Sequence, residues 1–227
     1  MWVRGWMREY GVSLWKPNKR YSISAADRKT RILDLIKNII RVRHFYMKNY
    51  SVTPEIINID QMPLHRNESS GQKTMTFGGE GVFVKENYHL SREQVSALTV
   101  LSSKNGKSKM ELLFKGAGTR LVKTLNPPTN LSLQFAMKGS YREENVISYI
   151  KDLPNLRFES QQKATILMLD NYSVHLSKSV RALLIHKGYI PVYIGGGITG
   201  DIQVNDTHFH HPLKAAYREK ATRIRSY

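Results

Sequence analysis

Residues 164–175 read Ala164-Thr165-Ile166-Leu167-Met168-Leu169-Asp170-Asn171-Tyr172-Ser173-Val174-His175, and this stretch decides the fold. Its first half is a continuous apolar run, the pattern of a strand covered on both faces. The run ends on an aspartate. A helix is expected next, near 177–187, with Val180, Leu183 and Leu184 at helical spacing and Gly188 as its stop. Tyr189-Ile190-Pro191-Val192-Tyr193-Ile194 then reads as another strand. Strand, crossover helix and strand predict a parallel pair. A Gly-rich loop follows, leading to Asn205 as an expected N-cap and a last helix to residue 223.

Toward the N-terminus the pattern continues. Ser140-x-x-Glu143 opens a helix carrying Val146, Ile147, Ile150 and Leu153, stopped by Pro154. Extended runs precede it at 55–60, 73–79, 94–103 and 109–114, with a further candidate at 131–137 and a hairpin signal at Asn105-Gly106. Ser24-x-x-Asp27 resembles a capping box, and Ile32, Leu35, Ile36, Ile39, Ile40 and Tyr46 predict one helix over 25–48. Strands come first, then helix–strand–helix–strand–helix. That order predicts a mixed sheet, antiparallel through its early hairpins and parallel through its later crossovers. No internal repeat or low-complexity segment is present.

The chain has 227 residues, room for one domain plus an appendage or two small domains. Hydrophobic residues make up 41%, enough for a sizeable core. A mean hydropathy of −0.43 and the lack of a long apolar run exclude a transmembrane helix. The opening Met1-Trp2-Val3-Arg4 carries charge early and has no apolar core, so no secretory signal is expected and Asn67-Glu68-Ser69 reads as a chance glycosylation match. There is no cysteine, which excludes disulfide scaffolds, thiolate zinc sites and cysteine nucleophiles. A nuclear or cytoplasmic location is expected.

The charge is the first positive clue. Lys and Arg number 35 against 18 Asp and Glu, a net +17 that favours nucleic acid over membrane as partner. Both ends are more basic than the middle. Residues 1–50 carry a net +9, and 213–227 a net +4. The first block interleaves Trp2, Trp6, Tyr10, Trp15 and Tyr21 with Arg4, Arg8, Lys16, Lys19 and Arg20, a mixture suited to phosphate contacts beside stacking rings. A small helical core with a basic rim is the alternative. Arg41, Arg43, His175, Lys214 and Arg218 complete the expected nucleic-acid contacts.

Three aspartates fall where such a sheet makes sites. Asp60 ends the first strand, Asp170 ends the strand quoted above, and Asp206 opens the last helix. If the first two strands are neighbours, both carboxylates share one edge. Three hard oxygen donors converging on one point would hold Mg²⁺ or Mn²⁺. Two such ions are the usual device for in-line displacement at phosphorus. Turn formation by Asp60 or Asp170, and a helix-terminus role for Asp206, are the structural alternatives.

These residues resemble a known family. Ile59-Asp60-Gln61-Met62-Pro63-Leu64, Leu169-Asp170-Asn171-Tyr172-Ser173-Val174-His175 and Gly196-Gly197-Ile198-Thr199-Gly200-Asp201-Ile202-Gln203-Val204-Asn205-Asp206 resemble, in order, the three acidic elements of DDE-superfamily transposases of the pogo/Tigger/jerky-like branch. The third departs from that family's usual Leu-Gln-Pro-Leu-Asp. The resemblance covers residues 52–222. It implies an RNase H-like fold: a mixed five-stranded sheet flanked by helices, occupying 51–227 behind a basic helical segment, 1–50. It also implies Asp60, Asp170 and Asp206 as ligands of two Mg²⁺ or Mn²⁺ ions, and DNA as partner, with a homodimer left open and no small-molecule cofactor. The implied reaction is DNA strand cleavage by water, then attack of a 3′-hydroxyl on target DNA. Complete members carry helix-turn-helix domains for terminal-repeat DNA, so residues 1–50 are expected to be the remnant of one plus a linker, in a truncated copy. A catalytically silent DNA-binding remnant, or domesticated transposase, is the alternative. A ribonuclease acting on RNA–DNA hybrids is a third reading.

Other constellations weigh less. His208, His210 and His211 suggest zinc, but His208 and His211 share a helix face from which His210 departs. Glu68 reads as a loop residue. Phe77-Gly78-Gly79-Glu80-Gly81 lacks the Lys-Ser/Thr of a P-loop, and Gly195-Gly196-Gly197 lacks a dinucleotide fingerprint and fits a mobile loop beside the site.

Overall fold

A computed structural model describes residues 12–15, 23–65, 74–77, 94–104, 106–107, 109–118, 126–154, 156 and 164–225. Its strands are β1 (Val12–Trp15), β2 (Glu55–His65), β3 (Thr74–Phe77), β4 (Gln94–Ser102), β5 (Gly106–Lys107), β6 (Met110–Lys115), β7 (Leu131–Ala136), β8 (Thr165–Asp170) and β9 (Tyr189–Ile194). Its helices are α1 (Ala25–Tyr50), α2 (Glu143–Asp152), α3 (Lys178–His186), α4 (Thr199–Ile202) and α5 (His210–Arg225). A π turn, Asn205–Phe209, runs directly into α5.

The main sheet has the order β7-β6-β4-β2-β8-β9, with the short β5 paired to β4. The early pairs β2–β4 and β4–β6 are antiparallel, and the crossover strands β2–β8 and β8–β9 are parallel. The expected five strands are therefore too few. The additional full strand is β7, which runs parallel to β6 through six residue pairs, from Met110↔Leu131 to Lys115↔Ala136. It is the candidate strand read at 131–137. Gly106, at φ +67°, makes the turn that the Asn-Gly signal predicted. Among the described residues of 1–50, the helix expected over 25–48 is α1, and Val12–Trp15 is extended and pairs antiparallel with β3. Among the described residues no helix is long and apolar enough to cross a membrane.

Local chemistry sets the helix ends. Ser24 Oγ accepts the Asp27 amide proton at 3.1 Å and begins α1 as expected. Ser177 does the same for α3 through Val180, and Gly188, at φ +87°, ends it. α2 begins two residues later than Ser140 suggested. Arg142 is its N-cap, and the Asn145 side chain accepts the Arg142 amide proton.

Alternation along β2 and β8 splits the sheet into two faces. Ile59, Leu167 and Leu169 pack with Val146, Ile150, Val180 and Leu184 beneath α2 and α3. On the opposite face, Ile166 and Met168 pack with Leu35 of α1 and Ile198. Farther along that face Met62, Leu64 and Ala97 meet Leu213 and Tyr217 of α5. Burying side chains of this kind contributes about 1.5–3 kcal/mol each. Between these two apolar patches lies an island of buried polar groups, and the candidate site is built there.

Candidate metal centre

β2 and β8 run in parallel register from Glu55↔Thr165 to Asn58↔Met168. The same register, continued along both strands, sets Asp60 level with Asp170. Asp60 also pairs with Thr99 of β4. Asp206 arrives from the π turn. Asn205, beside it, does not cap a helix as the sequence suggested. Its amide proton goes to Asn58 Oδ1 (3.2 Å), and its side-chain nitrogen donates to the Thr99 carbonyl (2.8 Å) and Thr99 Oγ1 (2.9 Å). Gln203 Nε2 donates to the Ile59 carbonyl at 3.4 Å. These bonds moor the segment carrying Asp206 to β2 and β4. π geometry, with its extra residue per turn, recurs at functional positions.

The carboxylates differ sharply in environment. Asp60 is 6% exposed, whereas the side chains of Asp170 and Asp206 are 33% and 42% exposed. Burial, then the charge of Asp206, then that of Asp170 push the Asp60 carboxyl up to about 8. Hydrogen bonds from the Gln61 amide (2.8 Å, to Oδ1) and the Gln203 side chain act in the opposite direction. A buried acid repelled by two neighbouring acids is relieved by a cation placed among them.

Two histidines join the carboxylates. His175 is buried, with Nδ1 at 2.6 Å from Asp170 Oδ1 and Nε2 at 3.3 Å from Gln61 Nε2. An amide NH₂ can only donate, so His175 Nε2 accepts and its Nδ1–H is given to Asp170. This ring, expected among the nucleic-acid contacts, is buried and orients the Asp170 carboxylate. His210 is likewise buried. Its Nδ1 lies 3.0 Å from Asp206 Oδ1 and 3.6 Å from Asp60 Oδ2, and its Nε2 lies 2.7 Å from Thr99 Oγ1.

Asp60, Asp206 and His210 each offer one ligand atom, all within 4.8 Å of one another. Asp170 is outside that group, although its charge reaches Asp60. Two carboxylates and an imidazole form a donor set that suits a divalent ion. The three-histidine zinc arrangement does not form: His208 and His211 are exposed, and His208 Nδ1 faces Thr207 Oγ1 at 2.6 Å. His210, the one that departs from their shared face, is the one that enters the site. The signal that could have found it is its i, i+4 spacing from Asp206. Thr99 and Asn58 carried no sequence signal.

Of the expected nucleic-acid contacts, Arg41 and Arg43 are exposed on α1, and Lys214 and Arg218 are half-buried on α5. Arg4, Arg8, Lys16, Lys19 and Arg20 lie outside the described residues, as do Glu68 and the Gly78–Gly81 loop. The Gly195–Gly197 loop, expected to be mobile, lies beside α1. Arg31 Nη1 donates to the Gly196 carbonyl at 2.8 Å, and Arg28 lies 3.6 Å from Asp201 nearby.

No family model matches the sequence, and no curated protein does. Among solved structures, the chain is similar to the Mos1 transposase paired-end complex with left transposon end, at 15% identity and a TM-score of 0.52, over 94% of this chain and 56% of that one. It is similar also to the Mos1 mariner paired end complex with Mn, at 14% identity and a TM-score of 0.53, with the same coverage. The Mos1 strand transfer complex matches at 14% identity, a TM-score of 0.50, and 94% and 55% coverage. The chain thus spans little more than half the length of these chains. At such identity the similarity shows the fold: RNase H-like, α/β, with a mixed sheet flanked by helices.

Proposed function

We propose that this chain is the catalytic domain of a DDE-type transposase of the pogo/Tigger/jerky-like branch, or of a protein derived from one. In this reading it breaks and joins DNA phosphodiester bonds with Mg²⁺ or Mn²⁺ and works in the nucleus. The observation that carries the reading is the convergence of three acidic elements, from β2, β8 and the π turn, around one buried carboxylate. The transposase structures of the same fold, one with Mn, support it.

Asp60, Asp170 and Asp206 would hold two ions. Ions held by these residues would supply activation of the attacking water or 3′-hydroxyl and stabilisation of the departing oxygen. The protein's own residues do the rest. Asp60 presents its carboxylate from the floor of the site, fixed by the Gln61 amide. His175 holds Asp170 through Nδ1–H. Asn58, Thr99, Gln203 and Asn205 keep the π turn, and so Asp206, against the sheet. In the first step water loses a proton and bonds to phosphorus while the P–O3′ bond breaks and the released 3′-oxygen takes up a proton. In the second that 3′-hydroxyl loses its proton and bonds to a target phosphorus while the target's own P–O3′ bond breaks and its 3′-oxygen is protonated. No side-chain nucleophile is needed. Arg41 and Arg43, with the basic residues of 1–22, would grip phosphates. The division near residue 50 is then one of role: α1 is basic outside and packed on the sheet inside.

The test is calorimetric binding of Mg²⁺ and Mn²⁺ by wild type and Asp170→Ala, with plasmid nicking on the same samples. Binding and nicking in wild type, both lost in the variant, are expected. Folded wild-type protein that neither binds metal nor nicks DNA would move the assignment to a silent DNA-binding descendant.

A further inference from the structure

We infer that Tyr172 is a stacking platform for an unpaired base beside the bond that is cut, so that the centre takes DNA whose strands are locally opened; this rests on the function proposed above. The residue stands two positions past Asp170, at most about 7 Å along the chain. Tyr172 and His175 pack with 5.7 Å between ring centroids and 84° between planes. In such a T-shaped pair one ring offers only its edge, so His175 covers at most one face of Tyr172. Tyr172 remains 41% exposed. At the far end of the ring the phenol oxygen lies 3.4 Å from the Tyr141 carbonyl. The ring is thus held at both ends, against a buried histidine and a neighbouring loop, while a face stays open.

The surroundings suit a nucleotide. β4 is antiparallel to β2 and to β6, β7 is parallel to β6, and β8 is parallel to β2. β7 and β8 therefore point the same way, and the chain leaves both at the same edge of the sheet. The Tyr141–Tyr172 contact joins the two exits. After β7 come Met137, Lys138 and Arg142, all exposed; after β8 come Tyr172, Leu176 and Lys178, likewise exposed. Aromatic and apolar groups among cations match the two chemistries of a single strand, the flat base and the charged phosphate.

The platform selects for an opened strand. A base inside a duplex has its faces covered by its neighbours, so only one that has left the stack can lie on Tyr172. Leaving costs least at a mismatch or a free end. A ring already fixed in place loses little freedom when the base arrives. Phosphate contacts elsewhere on the protein do not distinguish paired from unpaired DNA.

The experiment compares binding of the full chain, in Mg²⁺, to a fully paired duplex and to the same duplex carrying a short internal mismatch. Wild type should prefer the mismatched duplex. Tyr172→Ala should lose about 5- to 150-fold on that duplex and little on the paired one. Tyr172→Phe keeps the ring and should keep the preference. A 5-iodouracil photocross-link placed in the mismatch should map to Tyr172. Equal loss on both duplexes in Tyr172→Ala, or a wild type without preference, would overturn the inference. So would a fall in Mg²⁺ affinity matching the fall in DNA affinity, because the ring would then serve His175 and Asp170 rather than a base. Wild type that prefers the mismatch through Tyr172 yet binds no metal upholds the subsite and overturns the proposed chemistry. Wild type that cuts DNA without the preference does the reverse.

Discussion

Asp60 is the residue on which the site turns, and its environment opposes its ionisation. Its folded value near 8 exceeds the unfolded 3.8, so between those pH values the folded protein keeps a proton that the unfolded chain has lost. Stability of the metal-free protein from this group is full at low pH and declines as pH rises through 8. Asp60→Asn should flatten that decline and leave the metal-free protein more stable at pH 9, as seen in denaturant titrations across pH. The same variant should bind metal at least tenfold more weakly, a trade of function against stability. A metal-free wild type whose stability rises from pH 6 to pH 9 would contradict this account. His175 allows a second residue-scale test. Asparagine can place an N–H where Nδ1 stands, and glutamine cannot. His175→Asn should retain most metal affinity, whereas His175→Gln and His175→Ala should lose about 10–100-fold. Equal losses in all three would reduce His175 to packing.

At the scale of elements, α2 ends against a buried cation. Lys187, just past α3, donates from Nζ to the carbonyls of Ile150, Lys151 and Leu153. Burial holds its ammonium below the usual lysine value. Carbonyls at the helix end thus gain a charged donor, the one on Ile150 in addition to the Leu153 amide proton it already accepts, and a positive charge sits at the negative end of the helix dipole. Lys187→Met keeps the stem and removes the donor. It should cost about 1–3 kcal/mol in a urea titration without altering metal affinity. A neutral result would mean that water serves these carbonyls equally well. α1 is bound differently. Leu35 is its buried anchor, packed with Ile166 and Met168, while Arg28 and Arg31 reach Asp201 and the Gly196 carbonyl. The helix therefore braces the loop that leads to Asp206.

For the whole molecule, a net charge of +17 coexists with an acidic centre. On the proposed function, the acidic cluster would repel DNA unless metal neutralised it, while the basic ends would attract DNA regardless of sequence. Affinity for duplex DNA should fall steeply with salt, the logarithmic slope giving the number of phosphates contacted. Arg41→Ala with Arg43→Ala should reduce that slope by about two if both residues contact phosphate. An unchanged slope would remove this face of α1 from the DNA path. The fold fits the division of labour: apolar patches flank the polar island on one sheet face, so the site is rigid at its floor and open where Asp170 and Asp206 meet solvent.

The sequence by itself determined the elements whose signals are local. The apolar run of β8, the capped start of α1, the glycine stop of α3, the Asn-Gly turn and the parallel crossover through α3 follow from periodicity and from side chains within one turn of each other. It also placed Asp170 at the end of its strand and Asp206 at the entry to the last helix, whereas Asp60, expected at a strand end, lies in the middle of β2, which runs on to His65. Only the tertiary structure decided the partners of those carboxylates. Thr99 meets His210 across 111 residues, and Asn205 meets Thr99 across 106. Such pairs leave no periodicity, because strand register and the phase of the π turn set them. The same holds for β7, whose parallel pairing with β6 depends on the path of the chain between them. Chemistry of single residues is written locally, but a binding site is a property of distances, and distances between remote segments exist only once the sheet has formed.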